Sequence, residues 1–325
     1  MPRVLFYNNS SRVSQSSISD DISIVTIESN KCSASVSLYA GHVLQWQPKG
    51  HKPVFWVSDN AVFEPGKAIR GGIPICWPWF GAFPTEMLLN KSEKTYDINS
   101  HGFARISQWA LKQVKETERG IEIELSFSGD NYHPAWPFAF TLTQRLIFGE
   151  TFSQELIITN LGFNKADHDK TTTEFELPQA MFTGALHSYF AVGSASETSV
   201  HDLRGIYFED KLITPVSQEK EKPQSKHVPN AVEQCLGPID RIYHSSKDLF
   251  INDKVNKRNI KLSTNNTNQW VLWNPGVEIA KQMSDVHSNA ENEFVCLEAA
   301  NTKPIVLPEG KEVKVFQHIS LEFSE

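Results

Sequence analysis

Residues 121–127, Ile121-Glu122-Ile123-Glu124-Leu125-Ser126-Phe127, alternate strictly between apolar and polar side chains. Because successive side chains of a β-strand point to opposite faces, this period places three aliphatic residues and a phenylalanine on one face. The same signal recurs along most of the chain, between turns rich in Gly, Pro, Asn and Asp. Further predicted strands cover residues 22–27, 32–44, 138–148, 152–159, 171–177, 259–263, 270–273, 293–299 and 313–323.

Helical periodicity is scarce, and only residues 277–283 fit one or two helical turns. Many short strands separated by turn residues predict an all-β sandwich or barrel. Residues 1–20 are rich in Ser and Asn and predict a loosely ordered N-terminal lead-in. No composition shift divides the rest, so we expect a single domain over residues 21–325, with an exposed loop at about 216–234.

The overall charge excludes some classes of partner. The chain has 325 residues, with 31 Lys or Arg and 38 Asp or Glu, so its formal net charge is −7. Such an acidic chain argues against a sequence-blind nucleic-acid binder, which carries a basic face. It contains no apolar run of about 18 residues and no signal-peptide pattern, so we expect neither a membrane span nor secretion. The four cysteines are far apart and form no Cys-x-x-Cys pair, which predicts buried thiols in a cytoplasmic protein.

Four segments depart from plain strand alternation and hold the candidate functional residues. Arg70 precedes two glycines, which let a guanidinium and the backbone approach a ligand closely. His101 and Arg105 share the motif His-Gly-Phe-Ala-Arg. His187 lies in an otherwise apolar stretch, and Glu298 interrupts an apolar strand, where a buried carboxylate is costly unless it is paired or functional. Taken singly, each also fits a structural role as an exposed arginine, a core histidine or an ion-pair partner.

The order of these motifs resembles that of the hexose-6-phosphate mutarotases, also called glucose-6-phosphate 1-epimerases, within the wider aldose 1-epimerase group. The resemblance spans about residues 66–310. Each motif alone is modest, but the set in the family's order is specific. The motifs are IRGGIPICWPWFG (69–81), HGFARISQW (101–109), FTGALHSYFAVG (182–193), IDRIYHS (239–245), VLWNPG (271–276) and FVCLEAAN (294–301), followed by LPEG (307–310).

The resemblance implies a fold and a reaction. The fold is a large twisted antiparallel β-sandwich with few short helices and the active site on the concave face of one sheet. The reaction is interconversion of the α and β anomers of an aldohexose 6-phosphate, chiefly glucose 6-phosphate, by acid–base ring opening and reclosure. It implies no metal, nucleotide or organic cofactor. We expect a monomer whose partner is a small-molecule hexose 6-phosphate, with no nucleic acid and no membrane.

The resemblance also assigns the catalytic and phosphate-binding roles. Glu298 is the base that removes the C1 hydroxyl proton, and His187 is the acid that protonates the ring oxygen. A desolvated Glu can have its pKa raised toward neutrality, whereas His titrates there already and must be cationic to act as the acid. The family's phosphate contacts fall on Arg70 and Arg105, whose guanidiniums can hold a phosphate through charge-assisted hydrogen bonds.

The remaining predicted contacts concern the sugar. Asp240 matches the family position that contacts sugar hydroxyls, and His101 is placed near the ring oxygen or C1. Ser100 is a departure, because many relatives carry Gln there, so a water or another residue has to supply that contact. Aromatic side chains of the motifs could stack on a sugar, although core packing is the preferred interpretation for most of them. They are Trp77, Trp79, Phe80, Tyr189 and Trp273.

Three alternatives stay open at the level of sequence. A mutarotase for unphosphorylated aldoses fits the acid–base pair, but not two phosphate-binding arginines that point into one pocket. A glycoside hydrolase could use Glu298 and Asp240 as its carboxylate pair, but would leave His187 without a role. A non-catalytic sugar-phosphate-binding protein would not need an acid–base pair.

Overall fold

The strictly alternating residues 121–127 lie in β8 (Gly120–Gly129), a strand of an eight-stranded sheet. Their apolar side chains are buried, as the period of two predicts. The computed structural model describes residues 2–84, 87, 98–163, 179–203, 205–213, 232 and 234–323. Two further antiparallel sheets complete the architecture, so the predicted all-β fold class is confirmed.

The N-terminal sheet consists of β1 (Arg3–Tyr7), β2 (Ser11–Ser17), β3 (Ser23–Ser29), β4 (Cys32–Ser37) and β5 (His42–Pro48). These five strands are joined in sequence order. The expectation of a loosely ordered lead-in over residues 1–20 is corrected, because β1 and β2 fall inside that segment. Val13 of β2 pairs with Ile27 of β3 and is fully buried. The single strand expected over residues 32–44 is two strands, since the chain turns at residues 38–41.

The eight-stranded sheet runs through the middle of the chain and its C-terminus. Besides β8 it contains β7 (Ala110–Thr117), β9 (Phe138–Phe148), β10 (Phe152–Phe163), β13 (Thr198–His201), β16 (Leu249–Asp253), β17 (Arg258–Asn265) and β20 (Glu312–Phe323). Their order across the sheet is β13-β16-β17-β20-β10-β9-β8-β7. The predicted strands at 138–148, 152–159, 259–263 and 313–323 are confirmed here.

The third sheet carries most of the family motifs. Its strands are β6 (Ile75–Cys76), β11 (Met181–Leu186), β12 (Tyr189–Ala191), β14 (Phe208–Asp210), β15 (Ile239–Tyr243), β18 (Gln269–Asn274) and β19 (Phe294–Val306). The order is β14-β15-β18-β19-β11-β6, with β12 also paired to β19. The predicted helical turns appear as α1 (Gly276–Ala280). The strand predicted at 171–177 lies outside the described residues, as does the loop predicted at 216–234 apart from Val232 and Gln234.

One main core draws side chains from all three sheets, for example Val25, Phe140 and Leu297. Along β19 the side chains of Val295, Leu297 and Ala299 enter this core. The intervening residues of β19, Glu298 among them, therefore point to the opposite face of the sheet. All four cysteines are buried free thiols, which confirms that expectation. A single domain over residues 21–325 stays a prediction.

Within the described part of the chain, the helices are all too short or too polar to cross a membrane.

Candidate active site

The register of three neighbouring strands places Asp240 and Glu298 on one face of the third sheet. Asp240 of β15 lies opposite Trp273 of β18, and Glu298 of β19 lies opposite Val271 of β18. Trp273 and Val271 are two residues apart, so their side chains share a face. The two carboxylates therefore rise from the same side of the sheet, on the strands that flank β18.

His187 reaches the same face from the break between β11 and β12. Its backbone N–H donates to the carbonyl oxygen of Pro74 at 3.0 Å, and the N–H of Tyr189 donates to that of Gly72 at 2.9 Å. These bonds tie the loop that follows Arg70 to the segment that carries His187. Side-chain Nδ1 of His187 consequently lies 3.3 Å from Oε1 of Glu298, although the two residues are far apart in sequence.

Burial sets the protonation of this His187–Glu298 pair. Glu298 is 1% exposed, and burial raises its pKa well above the usual range; the carboxylate of Asp240 adds to the shift. Burial lowers the pKa of His187 well below its usual range, and the nearby arginines add to that shift. Burial therefore disfavours the charged form of both groups. A cationic His187, which the sequence argument required, is not the form that burial favours.

Two buried atoms of the pair lack hydrogen-bond partners among the described residues. They are Nδ1 of His187, whose approach to Glu298 is close but poorly aligned, and Oε2 of Glu298. Buried polar atoms are normally hydrogen-bonded, and exceptions concentrate where a protein does chemistry. Both atoms are thus able to engage a ligand without breaking an existing hydrogen bond.

Arg70 is held against the His187 side of the site. Its Nε donates to Oδ2 of Asp285 at 3.0 Å, and its Nη1 donates to the hydroxyl of Tyr189 at 2.9 Å. The ring of Tyr189 stacks on the imidazole of His187, with centroids 4.8 Å apart and planes within 8°. The charge of Arg70 is therefore matched by a carboxylate, and its position is coupled to that of the imidazole.

The His-Gly-Phe-Ala-Arg motif is anchored on the strand and loop around Trp77. His101 adopts a positive φ of 64°, and its N–H donates to the Gly81 carbonyl oxygen at 2.7 Å. Nδ1 of His101 accepts from the Gly81 N–H at 3.2 Å, so the ring proton is on Nε2. Burial lowers the pKa of His101 to about 3. The side chain is therefore a neutral hydrogen-bond donor, as suits a contact with a sugar oxygen.

Arg105 is the cation of the site whose charge is least compensated. It donates from Nη2 to the carbonyl oxygen of Ser100 at 2.8 Å, while its buried Nε has no partner among the described residues. Within the described chain no carboxylate forms an ion pair with it, unlike Arg70. Its charge lowers the pKa of His42, His101 and His187, so it acts across the whole site. Ser100 itself is exposed and contributes its backbone carbonyl rather than its hydroxyl.

Electrostatic influence shows that the predicted residues share one site. Three cations depress the pKa of His101: Arg105, Lys211 and Arg70. Asp240 and Lys211 both act on Glu298. Burial raises the pKa of Asp240 itself, with Lys211 as the main opposing influence. These influences connect six of the residues that the sequence proposed: Arg70, His101, Arg105, His187, Asp240 and Glu298. Ser100 is linked to them through its backbone carbonyl, which accepts from Arg105.

Sequence reasoning missed two charged members of the site. Asp285 lies in the turns after α1 and binds Arg70, but belongs to no motif. Lys211 follows β14 directly and forms an ion pair with Asp240 at 3.2 Å. Neither residue has a sequence signal that points to it, because each is defined by a partner from a distant segment.

The aromatic residues divide between core and site. Trp77 and Trp79 are 1% exposed and pack in the main core, as preferred from sequence. Tyr189 is also buried, but its ring stacks on His187. Phe80 and Trp273 are only partly buried; Phe80 lies edge-on to His101 and Trp273 edge-on to His187. Of the five aromatic residues, Phe80 and Trp273 are therefore the two whose rings remain partly open to solvent.

A metal centre finds no support in the described residues, where no three His, Cys, Asp or Glu side chains are grouped to hold an ion.

Comparison with known proteins decides the family. Residues 23–320 match the model of the family described as "Aldose 1-epimerase". The chain belongs to the aldose 1-epimerase family. It is accordingly an isomerase of that family, with a sugar as its ligand. The family predicted from the motifs is confirmed.

Three relatives of this aldose 1-epimerase show how far the similarity extends. The Salmonella typhimurium protein named "Putative glucose-6-phosphate 1-epimerase" is 31% identical over 303 residues, which are 92% of this chain and 90% of that protein. The Escherichia coli protein of the same name is 30% identical over 283 residues, 86% and 84% of the two chains. The crystal structure of a "putative mutarotase (YeaD)" from Salmonella typhimurium has a TM-score of 0.80 and 28% identity, and covers 99% of this chain and 97% of that one.

Proposed function

We propose that this epimerase interconverts the α and β anomers of aldohexose 6-phosphates, chiefly glucose 6-phosphate. One observation carries the proposal: a buried His–Glu pair, 3.3 Å apart, lies within the electrostatic reach of an arginine whose charge no described carboxylate matches. The pair supplies the acid and the base for ring opening, and Arg105 supplies a counter-charge for a phosphate. The names of the two bacterial relatives point to the same substrate.

The His187–Glu298 pair accepts one proton and donates one proton in each step, so the reaction needs no other proton source. Ring opening starts from the carboxylate of Glu298 and the imidazolium of His187. Glu298 takes the proton from the C1 hydroxyl and His187 gives one to the ring oxygen, so the C1–O5 bond breaks and C1 becomes an aldehyde. Rotation about C1–C2 presents the other face of the aldehyde. Ring closure reverses both transfers as O5 attacks C1. Ring opening thus turns a charged pair into a neutral one, the form that burial favours.

The other site residues fit supporting roles. His101 offers its Nε2 proton to a sugar oxygen, and Asp240 accepts hydrogen bonds from sugar hydroxyls. Arg105 is the better candidate for the phosphate, because the charge of Arg70 is already balanced by Asp285. We assign Arg70 mainly to holding Tyr189, and through it the His187 ring, in place.

Exchange spectroscopy by NMR tests the proposed reaction. We expect the purified protein to raise the rate of exchange between the two anomeric C1 protons of glucose 6-phosphate, and to raise it less for free glucose. Equal acceleration for both sugars would favour the mutarotase of unphosphorylated aldoses. No acceleration of either sugar would leave a binding function and overturn the proposal.

Arg105→Met should lower the rate with the phosphorylated sugar more than the rate with the unphosphorylated one. The variant loses a charge-assisted hydrogen bond, which is worth about 1.5–3 kcal/mol, so kcat/KM for glucose 6-phosphate should fall by about 10- to 100-fold. The rate with free glucose should fall much less, because that sugar has no phosphate and loses only the influence of the Arg105 charge on the histidines. The measurement is steady-state anomer exchange with each sugar.

Arg119→Met is the matched control for that substitution. Arg119 is exposed in the turn between β7 and β8, so its loss should alter neither rate. If Arg105→Met lowered the rates with both sugars by the same factor, Arg105 would be a structural residue rather than a phosphate ligand.

A further inference from the structure

A third cation, Lys211, lies beside the carboxylate that is proposed to bind sugar hydroxyls. Its Nζ is 3.2 Å from Oδ2 of Asp240, and its backbone N–H donates to the carbonyl oxygen of Asp240 at 2.9 Å. The side chain is 44% exposed and passes over the ring of Phe80, with Nζ 5.9 Å from the ring centroid. The backbone contact fixes where the side chain starts, and the exposure leaves its end free to turn.

Phe80 connects this lysine to the rest of the site. Its ring is edge-on to the imidazole of His101, with centroids 5.1 Å apart. Arg105 follows His101 by four residues. Its Nη2 donates to the carbonyl oxygen of Ser100, the residue before His101. The charges of Lys211 and Arg105 both act on His101. Phe80 thus links Lys211 to the ring of His101, and the bond to Ser100 holds Arg105 beside the backbone of His101.

Arg70 occupies a different part of the site. It uses two of its donors on Asp285 and Tyr189, next to the ring of His187. A guanidinium bound in this way is less available to a phosphate than an arginine with no carboxylate partner. The cations that can converge on a phosphate are therefore Arg105 and Lys211, rather than the two arginines.

The chemistry of the ammonium group allows it to bind two anions at once. A lysine ammonium has three N–H donors, of which one suffices for Asp240. An ion pair as exposed as this one is weak, so it does not restrain the ammonium firmly. We propose that Lys211 binds the phosphate together with Arg105 while it keeps one N–H on Asp240. This inference rests on the proposed function and adds to it the second phosphate ligand.

A lysine that binds the phosphate and Asp240 together forms a bridge between them, and this bridge affects which ligands the site accepts. It sets the distance between the phosphate and the carboxylate that accepts sugar hydroxyls. A sugar whose phosphate and hydroxyls match that distance satisfies both ends of Lys211, whereas inorganic phosphate or free glucose satisfies only one. The site therefore selects for a sugar phosphate as a unit.

Lys211→Met is the direct test. The variant keeps an unbranched side chain, one heavy atom shorter, and removes its charge. We expect KM for glucose 6-phosphate to rise about 5- to 10-fold, with kcat changed less than twofold, because the half-exposed charge is partly screened by solvent. KM for free glucose should stay the same. Lys211→Arg should recover most of the lost affinity, since it restores a donor cation.

Lys261→Met is a close structural match for that variant. Lys261 forms an ion pair with Asp248 at 3.3 Å, is 38% exposed, and lies 5.6 Å from the ring centroid of Phe250, but belongs to the eight-stranded sheet. Its substitution should change neither KM. If Lys211→Met raised KM for both sugars equally, Lys211 would only support Asp240, and the inference would be wrong.

Titration with inorganic phosphate, followed by NMR chemical shifts, separates this inference from the proposed function because it needs no turnover. Wild type should bind phosphate, and Lys211→Met should bind it at least threefold more weakly, whether or not anomer exchange is accelerated. Accelerated exchange together with identical phosphate affinities would sustain the proposed function and overturn the role of Lys211. Absence of phosphate binding by wild type would overturn the inference as well.

Discussion

Glu298→Gln is expected to lower the rate of anomer exchange by about 10²–10⁴-fold, the range that a positioned acid or base contributes. An amide has the shape of the carboxyl group but cannot take the C1 hydroxyl proton. Because burial favours the uncharged form of Glu298, the neutral amide adds no buried charge to the site. Affinity for glucose 6-phosphate and the free energy of unfolding should therefore change little. Exchange spectroscopy gives the rate, and thermal unfolding gives the stability.

The buried Glu291, in the turn before β19, provides the control for that experiment. Glu291→Gln removes a buried carboxylate outside the proposed acid–base pair, so its exchange rate should stay near that of wild type. A Glu298→Gln variant that retained more than a tenth of the wild-type rate would remove Glu298 from the role of base. Loss of rate accompanied by an equal loss of stability in both variants would indicate a structural effect.

Gly72→Ala is expected to lower the free energy of unfolding by about 4 kcal/mol or more, an exceptional value for one methyl group. Gly72 has a φ of +59°, and an added Cβ would overlap the carbonyl oxygen of Val43 and lie 2.7 Å from Nε2 of His42. The Val43 carbonyl cannot withdraw easily, because it accepts the Ile73 N–H at 2.9 Å. Denaturant unfolding measures the loss. Any folded fraction should also have reduced activity, since Gly72 binds the backbone of Tyr189.

Gly310→Ala separates the two causes of that loss, which are the left-handed backbone and the overlap with the Val43 carbonyl. Gly310 has a φ of +72°, but open space surrounds the position of its Cβ. Its substitution carries only the cost of the left-handed backbone, about 1–2 kcal/mol. Similar losses for the two variants would mean that the contact with Val43 is relieved by a small backbone shift, and that the loop after Arg70 is less constrained than its geometry indicates.

The N-terminal segment shows where composition misleads. Residues 1–20 are rich in Ser and Asn, which is typical of loops, and the expected lead-in follows from that statistic. The strand β2 forms nevertheless, because Val13 can be buried opposite Ile27. The serines of β2 pair with residues of β3 along the same strand. Pairing with a neighbouring strand made this segment a β-strand, and composition carries no information about such pairing.

The break at residues 38–41 has a different cause. The apolar pattern of 32–44 continues through the turn, because Leu38 and Val43 are both buried on either side of it. Period two cannot distinguish one long strand from two strands that share a core. Ala40 and Gly41 both adopt a positive φ in this turn, and Gly41 is the sequence signal for it that the apolar alternation masked.

The sequence by itself determined the all-β class and the strand faces, since side-chain alternation is a local property. It also determined the residue types of the site, since these residues lie within the motifs themselves. Only the tertiary structure decided that Nδ1 of His187 lies 3.3 Å from Oε1 of Glu298 and that Arg70 already has a carboxylate partner. The same holds for Lys211 and its place at the site. Charge and pKa depend on burial and on distances between segments that are remote in sequence, and those distances exist only after the sheets have packed.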